Sequence, residues 1–480
     1  MTTAARSPWV SFAVLMAGGF ITLLDVSILN VSIPAISRTL DMGPSGVQAI
    51  MAGYSLVFGL VLVAAGRAGD AYGRRRVFLI GLALFGLASI GCGLAQTALA
   101  LICLRLLQGV GAAIVNPQML GLTQQLFTGA QRARAFGFLG LAIGIATSIG
   151  PTLGGILIAI FGPEGGWRAA FLVNVPIIAV VLPLGYRLLP DHPGRAGTLG
   201  LDVPGIVLMA GGVIAVMVPF VLASDHTRGL SGAPWWTLLL AAALIAAFVL
   251  HERRAEGRGH SVIAPAALLH TPSFTLGTAI QAFYAAGFTA FFVIYTLYLQ
   301  QGIGLAAWQA GLMQIPVALG SALTAPIAGR LVARIGRPLV AAGVTTVTAS
   351  ALAMVLIAHT LDGTLLVTAI ALAAAVLGIG SGLAMTPNQA LAIEDVPIST
   401  GSTAGGLFQT LQRVGSAIGM AAVTLAFYTP LSASDLAGPA GADYPAFASA
   451  FGWGMGMIAL FTACSLALAL TDAARTRPNA

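Results

Sequence analysis

The chain contains no lysine: all 22 of its basic residues are arginine. That absence rules out a phosphate-binding loop of the GxxxxGK[ST] type and a lysine Schiff base. Without a Walker-type ATP site, uphill work has to draw on a gradient. Charge of either sign is scarce, at 8% of 480 residues, where a soluble chain carries roughly a quarter. The three cysteines, Cys92, Cys103 and Cys464, all fall in apolar stretches, and an odd count without a pairing pattern argues against a disulfide framework. The six histidines are scattered without HExxH or similar spacing, so no metal site is indicated. The longest connections, 189–202, 252–273 and 429–445, are too short and polar to fold alone. Catalysis would be confined to the apolar helices, and neither an enzyme, a cofactor nor a nucleic-acid partner is expected.

What is present is hydrocarbon. Apolar residues make up 58% of the chain and the mean hydropathy is +0.94, which places it in lipid as an all-α polytopic protein. The 60 glycines suit closely packed membrane helices. A span needs about 20 mostly apolar residues. Fourteen segments qualify: 9–33, 45–66, 77–95, 98–122, 136–160, 167–188, 203–222, 235–251, 274–298, 307–331, 338–358, 364–388, 401–428 and 446–471. The first is too long for a signal-peptide core and reads as a retained helix.

The arginines set the orientation. With the N-terminus inside, seventeen fall on cytoplasmic pieces: Arg6, Arg67, Arg74, Arg75, Arg76, Arg132, Arg134, Arg187, Arg195, Arg253, Arg254, Arg258, Arg330, Arg334, Arg337, Arg475 and Arg477. Only Arg38, Arg168 and Arg228 fall outside, and Arg105 and Arg413 lie within segments. This is the positive-inside pattern with an even number of spans, both termini being cytoplasmic.

The chain also repeats itself. GRAGDAYGRRR (66–76) is echoed by GRLVARIGRP (329–338), and QGVGAAIVNPQ (108–118) by LGIGSGLAMTPNQ (377–389). Two six-helix bundles are expected, over 1–190 and 270–472, with two extra linker helices within 200–252. Weak internal repeats mark transporter folds, whose binding site lies near the midplane between the halves.

Within the run ITLLDVSILNVSIP (21–34) stands one carboxylate, Asp25. An ionisable group at membrane depth is costly and is by default a functional-site hypothesis; the bland alternative is a helix–helix hydrogen bond. The first segment runs outward, which puts Asp25 about nine residues, or roughly 14 Å, from its outer end. The fourth runs inward, which puts Arg105 about seven residues, or roughly 11 Å, from the same side. The two face each other at similar depth. Arg105 keeps Asp25 ionised when near, and its withdrawal favours proton uptake.

Two further stretches carry structure-specific chemistry. The loop GRAGDAYGRRR puts Asp70 and three arginines at a glycine-bounded turn, where Gly73 permits positive φ. Asp70 suits a helix N-terminus of the other half, and Arg74 an inner carboxylate such as Glu394 or Asp395, so the loop reads as a latch or else as a plain basic loop. In GIATSIGPTLGG (144–155), Gly144, Gly150, Gly154 and Gly155 leave one helix face bare and Pro151 bends the helix.

The loop resembles the signature G-x-x-x-D-R-x-G-R-[RK] of the major facilitator superfamily. Ala71 stands where that family usually has arginine, and in the second copy Ala333 takes the acid position while Arg334 keeps the basic one. The 144–155 stretch resembles the antiporter motif of drug exporters in that superfamily. LDVSILNVSIP, RLLQGVGAA, GWRAAFLVNVP (166–176), GLDVPGIVL (200–208), HERRAEGRGHSV (251–262) and LFQTLQRVGSAIG (407–419) resemble its fourteen-helix drug:proton antiporter branch. The resemblance implies proton coupling through Asp25 and Arg105, and a pivot at the helix-5 glycines.

The substrate region is less defined. Arg413, deep in the thirteenth segment, suits an anionic substrate, a coupling role or bonding to carbonyls. The ninth segment carries an aromatic stripe (Tyr284, Phe288, Phe291, Tyr295) that reads as ordinary packing or as a wall for flat substrates. Asn30, Gln108, Asn116, Gln118, Gln281, Asn388 and Gln409 are polar handles for such a pocket. The expected activity is proton-driven export of hydrophobic or amphipathic compounds from the cell across its inner membrane, by a monomer. Export of an endogenous lipid or natural product is the alternative. A channel is disfavoured by the repeat and by the lack of a charged pore ring.

Overall fold

A computed structural model describes residues 7–127, 129–190, 202–223, 232–258, 262–263, 265–396, 401–432, 435 and 444–475. The side chains of Asp70, Gly144 and Ala333 lie outside the described ones. Among the described residues there is no strand. The longer helices are α1 (Pro8–Thr39), α2 (Pro44–Tyr72), α3 (Arg74–Leu94), α4 (Ala98–Leu126), α5 (Gly129–Leu172), α6 (Asn174–Leu188), α7 (Val203–Ala223) and α8 (Thr237–Gly257). After the short α9 (Ala266–Leu269) come α10 (Pro272–Leu297), which ends in a π-helical turn at Tyr298–Gly302, α11 (Ala307–Leu312), α12 (Ile315–Ile335), α13 (Arg337–Thr360), α14 (Gly363–Ala392), α15 (Gly401–Tyr428) and α16 (Tyr444–Arg475). In lipid the backbone must satisfy its own hydrogen bonds, and helices do so. Proline opens α1, α2, α10, α12 and α13, where its missing N–H costs nothing.

Each of the two echoed loops turns on a glycine. Gly73 joins α2 to α3 at φ 93° and Gly336 joins α12 to α13 at φ 68°, a backbone region open to glycine and strained for other residues. Both turns belong to one end of the bundle, the arginine-rich end.

Eleven of the described helices are long and apolar enough to cross a membrane, by length and composition, against the fourteen spans expected. Two causes are visible. Ile149–Leu188 counts as one run of 40 residues, although Gly162 breaks it at φ 74°, ψ 174° beside Pro163. Helix α8 ends in three charged residues, Glu252, Arg253 and Arg254, and α15 carries Arg413 among polar residues, so neither presents an apolar run long enough.

Helices α1 to α6 pack around Phe12, Phe78, Phe85 and Phe127. A larger cluster is centred on Phe291, Tyr295, Tyr298 and Phe451 and reaches across to Leu29, Ile33 and Met42 of the first half. The aromatic stripe is therefore partly core: Phe291 stacks on Tyr295 at 4.9 Å, and both are fully buried.

The halves meet at the arginine-poor end through bare backbone. A Cβ on Gly155 would lie 2.5 Å from the Cα of Trp308 in α11. One on Gly311 would lie 2.5 Å from the Pro151 carbonyl oxygen. On the same helix Gly150 and Gly154 admit Ser27 and the Ile28 carbonyl of α1. The Gln300 amide donates to the Val31 carbonyl at 3.0 Å across the same junction. The 144–155 motif thus packs one helix on two neighbours, α1 in its own half and α11 in the other.

The linker pair α7–α8 is pinned at its arginine-rich end. Asp202, just before α7, accepts from the Gly205 amide at 3.0 Å and lies 2.7 Å from His251 Nε2 of α8. Glu252 accepts from the Ile263 amide at 3.2 Å, and Arg67 of α2 donates to the Val262 carbonyl at 2.8 Å. Burial pushes the Asp202 carboxyl up, but hydrogen bonds with Glu252, the Gly205 amide and His251 outweigh it and hold the group below its ordinary value. This joint accounts for GLDVPGIVL and HERRAEGRGHSV in structural terms.

Because no atom of a larger side chain fits at Gly155, Gly155→Leu wedges α5 from α11. Spin labels on the arginine-poor tips of these helices should show a longer mean distance in the variant than in the wild type; an unchanged distance would mean that the contact does not hold this end shut.

Candidate functional site

Asp25, in the middle of α1, is 2% exposed and Arg105, in α4, is 1% exposed. Arg105 Nη1 donates to Asp25 Oδ2 in a direct ion pair. The other carboxylate oxygen, Oδ1, accepts from Gln108 Nε2 at 2.9 Å and from Asn174 Nδ2 at 2.8 Å. Gln108 stands one turn beyond Arg105 on the same face of α4, and its carbonyl accepts from Arg105 Nη1 at 2.6 Å. Ser89 of α3 accepts from both amides, at 2.8 Å from Gln108 and 3.3 Å from Asn174. The guanidinium lies over the Tyr54 ring of α2, 4.1 Å from its centroid. Side chains from five helices of the first half, α1 to α4 and α6, thus form one network around the Asp25–Arg105 pair.

The arrangement is neutral overall and closed to water. Three donors, from Arg105, Gln108 and Asn174, meet the two oxygens of Asp25 in this conformation. Three buried polar atoms of these side chains have no hydrogen-bond partner among the described residues: Arg105 Nε, Asn174 Oδ1 and the Tyr54 hydroxyl. Such loose ends favour a site that rearranges over one locked for stability alone.

The depth argument brought Asp25 and Arg105 to the same level, and the structure puts them in contact. Gln108, expected to be a substrate handle, belongs instead to the Asp25 network. Ser89, Asn174 and Tyr54 were missed, although Asn174 stands in the quoted GWRAAFLVNVP. Other handles are also spent within one half. Gln118 donates to the Ala65 carbonyl at 2.7 Å, and Asn116 to the Ala112 carbonyl at 3.2 Å. Asn388 donates to the Gly277 carbonyl at 2.9 Å and to Gln281 at 3.3 Å. Tyr284 is buried and stacks on Phe288 at 5.3 Å. Asn30 is buried in α1, while Phe288, Gln409 and Arg413 keep partial exposure.

The expected latch partner of Arg74 was a carboxylate of the second half. Its guanidinium lies beside Gly121 of α4, where a Cβ would meet Nη1 at 1.8 Å. The short α2–α3 turn directs the side chain onto its own half. Arg334 is exposed in the last turn of α12. Among the described residues no cluster of three or more His, Cys, Asp or Glu side chains is placed to hold a metal ion.

A multi-pass helical bundle with a buried ion pair at its centre is an arrangement that membrane transporters use. Residues 15–420 match the model of the Major Facilitator Superfamily, and the chain belongs to that family. It is 32% identical over 441 residues to the "Probable actinorhodin transporter" of Streptomyces coelicolor, covering 89% of this chain and 74% of that protein. It is 30% identical to the "Tetracenomycin C resistance and export protein" of Streptomyces glaucescens, over 86% of this chain and 75% of that one. Among solved structures, an inward-facing bacterial homologue of the human lysosomal transporter Spinster superposes with a TM-score of 0.71 at 14% identity, over 99% of this chain and 98% of that one. A peptide transporter of the POT family superposes with a TM-score of 0.67 at 15% identity, over 98% of both chains. These two share the fold.

Breaking a buried pair from one side leaves a charge without a partner, at a cost on the order of 3–5 kcal/mol. Asp25→Asn should therefore lower the thermal unfolding midpoint of the purified protein, and Asp25→Asn with Arg105→Gln should recover most of the loss. If the double variant is no more stable than the single, the two side chains are not an energetic pair.

Proposed function

We propose that the chain exports hydrophobic or amphipathic compounds across the plasma membrane in exchange for protons, by alternating access. Asp25 carries the proton, Arg105 governs its release, and the α5 glycines form the surface on which the halves rock. Two six-helix bundles and two linker helices make fourteen spans, with both termini in the cytoplasm. The observation that carries the reading is the buried Asp25–Arg105 pair, held by movable donors inside a chain of this family. The similarity to export and resistance proteins for actinorhodin, tetracenomycin C and puromycin supports small organic substrates. Export of an endogenous natural product or lipid uses the same geometry and differs only in the cargo.

The coupling logic is electrostatic. With Arg105 and the two amides in place the carboxylate stays ionised. A conformation that withdraws them leaves an ionised group in hydrocarbon, which takes up a proton instead. Proton and cargo then alternate because the two conformations expose opposite sides.

In everted vesicles, dye movement should collapse when a protonophore is added, and Asp25→Asn should abolish gradient-driven transport while dye still binds. Transport that continues after the proton gradient is dissipated would overturn antiport, and a fully active Asp25→Asn would overturn the residue's role.

A further inference from the structure

The partly and fully buried arginines differ in how their charge is met. Arg105 has Asp25 and Gln108. Arg337 has Asp472, and Arg168 has the carbonyls of Gly93 and Ala95. Arg413, near the middle of α15, has a ring: its guanidinium carbon lies 4.3 Å from the centroid of Phe58 on α2. Among the described residues it makes no hydrogen bond and no ion pair. Its backbone is fixed against the other half, because Thr410 donates to the Gly59 carbonyl at 3.0 Å and a Cβ on Gly59 would lie 2.8 Å from the Arg413 Cβ. Phe58 stands one turn from Tyr54, with ring centroids 6.2 Å apart, and Tyr54 underlies Arg105. The two guanidiniums thus lie on the two rings of one helix, one from each half.

A guanidinium does not lose its proton in a protein, and its five N–H donors form a planar fork. A ring face answers the charge but none of those donors. On the reading that the chain is an exporter, we infer that Arg413 and Phe58 form the subsite for the acidic group of the cargo, and that the cargo class is flat apolar organic carboxylates. The fork matches a carboxylate with two parallel hydrogen bonds, and the Phe58 ring supplies an apolar face beside it. The subsite sits at the seam where α15 crosses α2, so its occupation acts on both halves at once. It is also on the same aromatic face as the proton site, so cargo charge and Asp25 charge are felt through Tyr54 and Phe58.

The test is equilibrium binding to the purified full chain in detergent, with pyrenecarboxylic acid and its methyl ester as probes, followed by energy transfer from tryptophan. The wild type should prefer the acid over the ester by about ten-fold or more. Arg413→Gln should abolish that preference, and an unfolding midpoint close to that of the wild type reports that the variant is folded. Arg413→Lys should fall between them, since it keeps the charge and loses the fork. Equal wild-type affinities for acid and ester would overturn the proposal, as would an acid affinity indifferent to Arg413→Gln. Displacement of the acid by vesicles of phosphatidylglycerol would assign the site to lipid and overturn it as well. No gradient is present, so a failure of proton-driven export leaves this result distinct.

Discussion

A carboxylate and a guanidinium removed from water are each unstable alone and neutral together. That dependence organises the first half of this bundle. Asp25 on α1 and Arg105 on α4 meet at 2% and 1% exposure, and α2, α3 and α6 each send a side chain to the pair. The cost of separating the charges is what makes the pair useful to a transporter. Any movement of α4 relative to α1 that parts the two charges leaves each of them without its partner. The ion pair is thus a constraint on motion as much as a contribution to stability.

The second requirement is that the halves can move without opening gaps. Here the contacts are backbone on backbone. Gly155 and Gly311 bring α5 and α11 together at the arginine-poor end, and Gly150 and Gly154 seat the same helix on α1. Surfaces without side chains slide and reseat with few rotamer changes, and they gain dispersion contacts that lipid cannot replace. On the linker side, hydrogen bonds link Asp202 to His251 and Arg67 to the Val262 carbonyl, tying α7 and α8 to one another and to α2. Such a strut follows the first half as it moves.

Much of this was legible in the residues because hydrocarbon leaves few options. Helix direction alternates and each residue rises by a fixed amount, so depth follows from position, and Asp25 and Arg105 were matched that way. The repeated loops were legible because both need a glycine at the same turn. What sequence does not carry is rotation about the helix axis. Gln108, Gln118, Gln281 and Asn388 looked like handles for cargo, yet a buried amide needs partners and each found them in its own half. Ser89 and Asn174 were passed over for the converse reason: a short polar residue in an apolar helix reads as packing until its neighbours are known. Gly162, at φ 74°, is non-helical backbone between the fifth and sixth expected spans, two apolar runs that otherwise read as one.

The central claim is that Asp25 exchanges its proton as cargo binds and the halves move. The most direct measurement is the pH change in a weakly buffered solution of the purified protein when a transported compound is added. The wild type is expected to release or take up protons in proportion to bound compound, and Asp25→Asn to give no change while still binding it. An equal proton signal from both proteins would contradict the account.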